Sequence, residues 1–378
     1  MNKKHQWFYS FFHPIVRLYI KCYFDYTYEP VDSPDEPYIV FSNHITDWDP
    51  LFVGMSFKKQ MYFVASEHIA RSKLAYAFLK FVFAPIMRYK GALAAATVKD
   101  IFKTIKRGDS VCIFAEGVRT RDGITAPILP STGKMVKSAR CGLITYKLTG
   151  GYFASPVWSE GPFRRGPIHG SMVNIYTKEQ LAEMSVDEIN AVISNDLYED
   201  AYATQAANPQ KYKGKRLAEH LENLLFICPE CKRLDTMSSH ENTVCCSHCG
   251  HHFTYNEYGS LDGCSYTTIR DLAAWQQREV EQLALTDTIF SSSFGTIKSI
   301  HNHEETLLSE GNITMNRHAL VCGNVSIPTE EILDMAIYGK RNLVFSTQDN
   351  YYELLPEPGG NGIKYLLLYE AVKKQKKG

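Results

Sequence analysis

No run of eighteen apolar residues occurs anywhere in the chain, which excludes a simple transmembrane helix. Neither sign of charge prevails. The 41 lysines and arginines face 41 aspartates and glutamates, so there is no overall electrostatic reason to expect a nucleic-acid partner. Internal repeats and long low-complexity tracts are absent, and the first apolar stretch lacks the small-residue cleavage site of a secretory signal. Of the ten cysteines, Cys22, Cys112, Cys141, Cys245, Cys264 and Cys322 are scattered, a usage that fits a reducing cytosol rather than a disulfide framework. What is present is 378 residues, 44% of them hydrophobic, enough for two or three domains with ordinary cores.

The segment 1–30 is dense in aromatics. Trp7, Phe8, Tyr9, Phe11, Phe12, Ile15, Val16, Leu18, Tyr19, Ile20, Tyr23 and Phe24 share it with Lys3, Lys4, Arg17 and Lys21, and the first acidic residue is Asp25. Aromatic and basic residues on one amphipathic stretch fit a helix lying in the headgroup layer of an anionic membrane, kinked at Pro14. The competing reading is a helix that covers its own domain's core. The first reading predicts a peripheral or monotopic protein on the cytoplasmic face of a membrane.

From 31 to 223 the pattern predicts an α/β domain with a helical extension. Strands are expected at 38–42, 61–65, 111–114 and 143–148, and helices at 67–83, 95–107 and 133–141. Strands alternating with helices argue for a largely parallel sheet flanked by helices. Thr177 with Gln180 and Ser185 with Glu188 read as capping boxes that open two further helices.

Two clusters on this domain carry chemistry. Asn43-His44-Ile45-Thr46-Asp47-Trp48-Asp49 follows the strand 38–42 directly. Acyl transfer to an alcohol needs a base for the hydroxyl proton, histidine is the usual base near neutral pH, and a carboxylate on its other nitrogen completes a dyad. His44 and Asp49 supply these groups at the carboxyl end of a strand, where open α/β sheets place their ligand sites. Taken alone, Asp47 or Asp49 could instead cap a helix, the one that Pro50 begins, with His44 an ordinary loop histidine. The second cluster is Phe114-Ala115-Glu116-Gly117-Val118-Arg119-Thr120, on the strand 111–114, about seventy residues later. Its glycine allows a tight turn and its arginine can pair with a phosphate. The conjunction of both clusters after buried strands of one sheet makes a mere pair of turns a poor explanation.

Asn43-His44 with Asp49 resembles the N-H-x4-D motif of the glycerolipid acyltransferases, the lysophosphatidate acyltransferase superfamily, and the second cluster resembles that family's F-P-E-G-T-R-S motif, over roughly residues 10–165. The resemblance implies His44 as general base and Asp49 as the residue that orients it. It implies Glu116, Gly117 and Arg119 as the holders of the acceptor's glycerol-phosphate, with Arg88 as a further phosphate contact. Ala115 and Val118 stand where the family has proline and threonine, which leaves loop rigidity and acceptor choice open.

Cys228-Pro-Glu-Cys231 and Cys246-Ser-His-Cys249 are separated by fourteen residues. Two C-x2-C pairs at this spacing predict a zinc ribbon over 224–256, with a structural Zn²⁺ held by four thiolates and no position open for substrate. Residues 265–378 alternate short strands and turns, at 312–316, 319–322, 343–346 and 351–355, before a closing helix at 363–374 and a lysine-rich tail. That order resembles a pleckstrin-homology or GRAM-like domain, which would imply lipid or protein binding.

The expected protein is thus an α/β acyltransferase followed by a zinc ribbon and a small mostly-β domain with a C-terminal helix. It would move a fatty acyl group from acyl-CoA or acyl carrier protein to a lysophospholipid hydroxyl, with 1-acyl-glycerol-3-phosphate the first acceptor to consider, and no nucleic-acid partner. An acyl-ester hydrolase using the same dyad and a non-catalytic lipid-binding scaffold are the rivals.

Overall fold

The computed structural model describes residues 3–66, 85–88, 94–301, 304–357 and 360–375. The helix expected over 67–83 and the last two lysines of the tail lie outside them. The chain divides into two compact units, one of residues 1–157 with 163–213 and one of 158–162 with 214–378. Residues 214–223, assigned above to the first domain, belong to the second unit, and the ribbon and the β domain share that unit.

The first unit opens with helix α1 (Lys3–Phe24), which runs through Pro14, and strand β1 (Tyr26–Tyr28). Then follow β2 (Tyr38–Ser42), α2 (Asp49–Ser56), β3 (Tyr62–Ser66), β4 (Ile86–Arg88), α3 (Ala94–Lys106), β5 (Val111–Phe114), α4 (Ser131–Ala139), β6 (Gly142–Thr149), α5 (Gly151–Ala154) and β7 (Ile168–Tyr176). Three helices complete the unit: α6 (Lys178–Glu183), α7 (Val186–Leu197) and α8 (Ala201–Ala207). The sheet order is β1-β7-β6-β2-β5-β3-β4, and only the β6–β7 ladder is antiparallel. The sheet is therefore largely parallel, as its apolar runs predict for strands buried on both faces.

Every residue of β2 is buried, and Ile39, Phe41, Val111 and Leu143 pack with Ile189, Ile193 and Leu197 of α7 in one hydrophobic core. Both expected capping boxes form, and they fix where α6 and α7 begin. Helix α1 has two faces. Ile20 and Phe24 are buried, whereas Phe11, Ile15, Leu18, Tyr19 and Tyr23 are each at least half exposed. Among the described residues no helix is long and apolar enough to cross a membrane.

The second unit holds a four-stranded antiparallel sheet of β8 (Met237–His240), β9 (Thr243–Cys246), β10 (His252–Tyr255) and β11 (Leu261–Asp262), then helix α9 (Ile269–Leu283). Strands β12 (Phe290–His301), β13 (Glu304–Met315), β14 (Ala319–Cys322), β15 (Val325–Pro328), β16 (Asp334–Tyr338), β17 (Asn342–Ser346) and β18 (Tyr351–Pro356) follow, closed by helix α10 (Ile363–Gln375). They form a seven-stranded antiparallel sheet in the order β15-β14-β13-β12-β18-β17-β16. Lys364 of α10, almost fully buried, pairs with Asp235 at 2.8 Å and donates to the Ser291 carbonyl. Gln276 of α9 accepts the amides of Phe226 and Ile227 beside the first cysteine pair.

Candidate active site and metal centre

The parallel strands β2 and β5 are neighbours in register, Ser42 opposite Phe114, so both motif loops leave the sheet side by side at its carboxyl edge. His44 is the first residue of its loop that is not fully buried. Its side chain is 21% accessible, and its ring stacks on Phe114 at 4.4 Å between centroids. Nδ1 lies 2.8 Å from Asp49 Oδ2. Against a carboxylate, Nδ1–H donates, which leaves the Nε2 lone pair as the acceptor.

Asp49 is buried to 1% exposure and is held by more than the histidine. Its oxygens accept the amides of Ile45 and Thr46, at 2.6 Å and 2.9 Å, and the Thr46 hydroxyl at 2.6 Å. The carboxylate thus fastens the loop around His44. It caps no helix: Trp48 is the cap residue of α2, with no side-chain cap bond. Asn43 ties the same loop to β6, donating to the Leu148 carbonyl and accepting the Leu148 amide.

The four residues expected to hold phosphate separate into two kinds. Glu116 is buried and turned inward, its Oε1 accepting the His44 amide and its Oε2 the Ala126 amide, each at 2.6 Å. Burial pushes its pKa up to about 8, against the pull of those two amides. A carboxyl so engaged braces the His44 loop, both of its oxygens being taken up by main-chain amides. Gly117 has φ +69°, and a Cβ there would collide with the Arg88 guanidinium, which donates to the Gly117 carbonyl at 3.0 Å. A side chain at 117 would therefore expel the arginine, so this glycine is required by close approach as well as by its turn. Arg119, 10% accessible, lies 3.2 Å from the exposed Asp47 carboxylate. Of the four, Arg88 and Arg119 are the two that carry positive charge. Thr120, quoted above only as part of a motif, donates its amide to the His44 carbonyl at 3.0 Å.

Sequence reasoning missed Thr46, Thr120 and the stacking Phe114. All three stand in the quoted motifs, but their partners lie across loops that spacing does not relate.

Residues 24–149 match the family model described as Acyltransferase. This part of the chain is an acyltransferase domain. Both motif loops, 43–49 and 114–120, lie within the matched residues. Among solved structures, the chain is similar to the 1-acyl-sn-glycerophosphate (LPA) acyltransferase PlsC from Thermotoga maritima. The identity is 14% and the TM-score 0.44, over 55% of this chain and 82% of that one. It is also similar to the N-terminal PH domain of the human ARAP2 protein at 13% identity and a TM-score of 0.20, over 24% of this chain and 84% of that one. No curated protein matches the chain.

In the second unit, Cys228, Cys231, Cys246 and Cys249 bring their sulfurs within 4.8 Å of one another. Cys228–Cys249 and Cys231–Cys246 are each separated by 3.7 Å. A tetrahedral ion with metal–sulfur bonds of about 2.3 Å needs sulfurs about 3.8 Å apart, so the donor set fits Zn²⁺. Both knuckles close in the same way. The Lys232 amide donates to the Cys228 carbonyl and the Gly250 amide to the Cys246 carbonyl, with φ +58° and +75° at these residues. Four cysteines could thus hold a metal, with no ligand position left for chemistry.

Proposed function

We propose that the acyltransferase domain transfers a fatty acyl group from an acyl thioester, of coenzyme A or acyl carrier protein, to the hydroxyl of a lysophospholipid, with 1-acyl-glycerol-3-phosphate the first candidate acceptor. The observation that carries this is the buried Asp49 carboxylate, 2.8 Å from His44 Nδ1. It fixes the tautomer in which Nε2 can take a proton. In the reaction, Nε2 removes the acceptor's hydroxyl proton as the oxygen attacks the thioester carbonyl carbon. The new C–O ester bond forms, the C–S bond breaks, and the imidazolium returns its proton to the departing thiolate. Asp49 stabilises the imidazolium in between. Arg88 and Arg119 are the groups we assign to the acceptor's phosphate, with phosphate displacing Asp47 from Arg119. Glu116 acts on His44 rather than on substrate.

The reading extends to a membrane surface. The exposed apolar face of α1 ends at Tyr23; Tyr23 and the exposed Trp48 of the His44 loop both pack on the buried Phe24, at 4.8 Å and 5.0 Å between ring centroids. A bilayer on this face would deliver lysolipid beside the base. In the second unit, we assign the four cysteines to a structural Zn²⁺, which would supply the ribbon's folding energy.

The test is a panel of lysolipid acceptors offered with acyl-CoA and with acyl carrier protein, products read by mass spectrometry. Diacyl product that requires the acceptor supports transfer. Release of free fatty acid at the same rate without acceptor would replace it with hydrolysis, and no turnover on any acceptor would leave a lipid-binding scaffold.

A further inference from the structure

The loop that carries Glu116 and Thr120 is gripped from outside the matched acyltransferase residues. The connection between α7 and α8, residues 197–201, lies against residues 123–126 as a short antiparallel contact, Ile124 opposite Asp200. The Thr125 amide donates to the Glu199 carbonyl at 3.0 Å, and the Ala201 amide to the Gly123 carbonyl at 2.9 Å. The Thr125 hydroxyl works in both directions, donating to the Leu197 carbonyl at 3.1 Å and accepting the Glu199 amide at 2.9 Å. The next residue, Ala126, supplies one of the two amides on Glu116, and the other comes from His44 itself. Thr120 in the same loop donates to the His44 carbonyl and folds back through its hydroxyl onto Ile124.

The Glu199 side chain is buried, fixed by the Thr204 hydroxyl at 2.7 Å. It lines a cavity of about 10 Å³ together with Glu116, Thr120, Asn43 and His44. Both carboxyls therefore border the space behind the base. Nothing in the family motifs reaches residues 197–201.

We propose that residues 197–201 are a positioning clamp for His44, acting on its main chain through Thr125, Ala126 and Glu116. The clamp rests on the acyl-transfer reading for its functional meaning, because a base must be held to a fraction of an ångström to abstract a proton efficiently. The grip is mechanical: it fixes both the amide and the carbonyl of the catalytic residue.

The deciding variant is Thr125→Val, which removes both hydroxyl contacts with little change of volume. Hydrogen exchange of the intact protein reads the amides of His44, Ile45 and Thr46 directly, whether or not any acceptor is turned over. The clamp predicts that these amides exchange faster by roughly tenfold. It also predicts that kcat falls by tenfold or more, since the base is no longer held at its main chain. Thr125→Ser keeps the hydroxyl and should restore both. Thr125→Ala removes the same two hydroxyl contacts and should move both in the same direction, and it serves if Thr125→Val fails to fold. Exchange at residues 44–46 like that of the unaltered protein, in a folded variant, overturns the proposal. So does an unchanged kcat alongside faster exchange. If the unaltered protein transfers no acyl group, the functional reading fails by itself and the exchange arm still decides whether the clamp exists.

Discussion

Replacing Glu116 by glutamine should separate stability from activity. The carboxyl accepts two main-chain amides at 2.6 Å in a buried site. Burial pushes its pKa from 4.5 up to about 8. The folded protein therefore binds this proton more tightly than the unfolded chain. The associated stability is fully present below pH 4.5 and is lost as pH rises through about 8. At about 1.4 kcal/mol per pH unit, the loss over that interval amounts to a few kcal/mol.

Glutamine cannot ionise, so Glu116→Gln removes the pH-dependent part. It also turns an NH₂ toward one amide and leaves that buried N–H unpaired, costing about 1–3 kcal/mol at every pH. The variant should melt below the unaltered protein near pH 5 and level with it or above it near pH 8.5. For a unit of this size, about 2–4 °C accompanies each kcal/mol. The difference in midpoint should then swing by on the order of 8–15 °C across the range. Acyl transfer, by contrast, should fall at every pH, because one of the two tethers between His44 and Ala126 is lost and the His44 loop loosens. Differential scanning calorimetry at pH 5, 7 and 8.5 reads the first part. Parallel melting curves for the two proteins would refute the assignment of Glu116 as a buried, ionisable brace.

Three further outcomes follow from the same geometry. Asp49→Asn should lower transfer by roughly three to four orders of magnitude, since a donor facing Nδ1 favours the wrong tautomer; steady-state rates check this. Purified protein should carry one zinc per chain, and Cys246→Ser or a strong chelator should remove it and lower the second unit's melting transition; metal analysis beside calorimetry reads both. Leu18→Glu should weaken sedimentation with anionic vesicles about tenfold or more, because a leucine withheld from lipid forfeits about 1.5–3 kcal/mol.

How much was legible in the sequence depended on how local the signal was. The strands 38–42 and 111–114 stand out as apolar runs because both faces of the central sheet are covered. The cysteine knuckles and capping boxes are legible for the same reason, each closing within five residues. Strand β7 escaped, since most of its side chains face outward and only Ile168 and Gly170 are buried. Strand β12 begins Phe-Ser-Ser-Ser and reads as a loop; its burial comes only through the ladders to β13 and β18. Helix α9 went unassigned although Ile269, Leu272, Trp275, Gln276 and Val280 form its buried stripe, a pattern lost among the many polar residues between.

At the site, the dyad was legible because its partners lie five residues apart. The role of Glu116 was not. Its bond to the His44 amide spans seventy-two residues, and only burial distinguishes a brace from a ligand-binding charge. The contact of Glu199 with Thr125 spans seventy-four, and no motif marks it.

The central claim is that His44 is the base for acyl transfer. Its most direct test is a comparison of unaltered protein and His44→Ala, with matched zinc content and matched melting, on acyl thioester with and without lysophosphatidate. The account predicts acceptor-dependent formation of diacyl product and free thiol by the unaltered protein, and loss of at least three orders of magnitude, roughly, in the variant. Turnover by His44→Ala at the rate of the unaltered protein would contradict it.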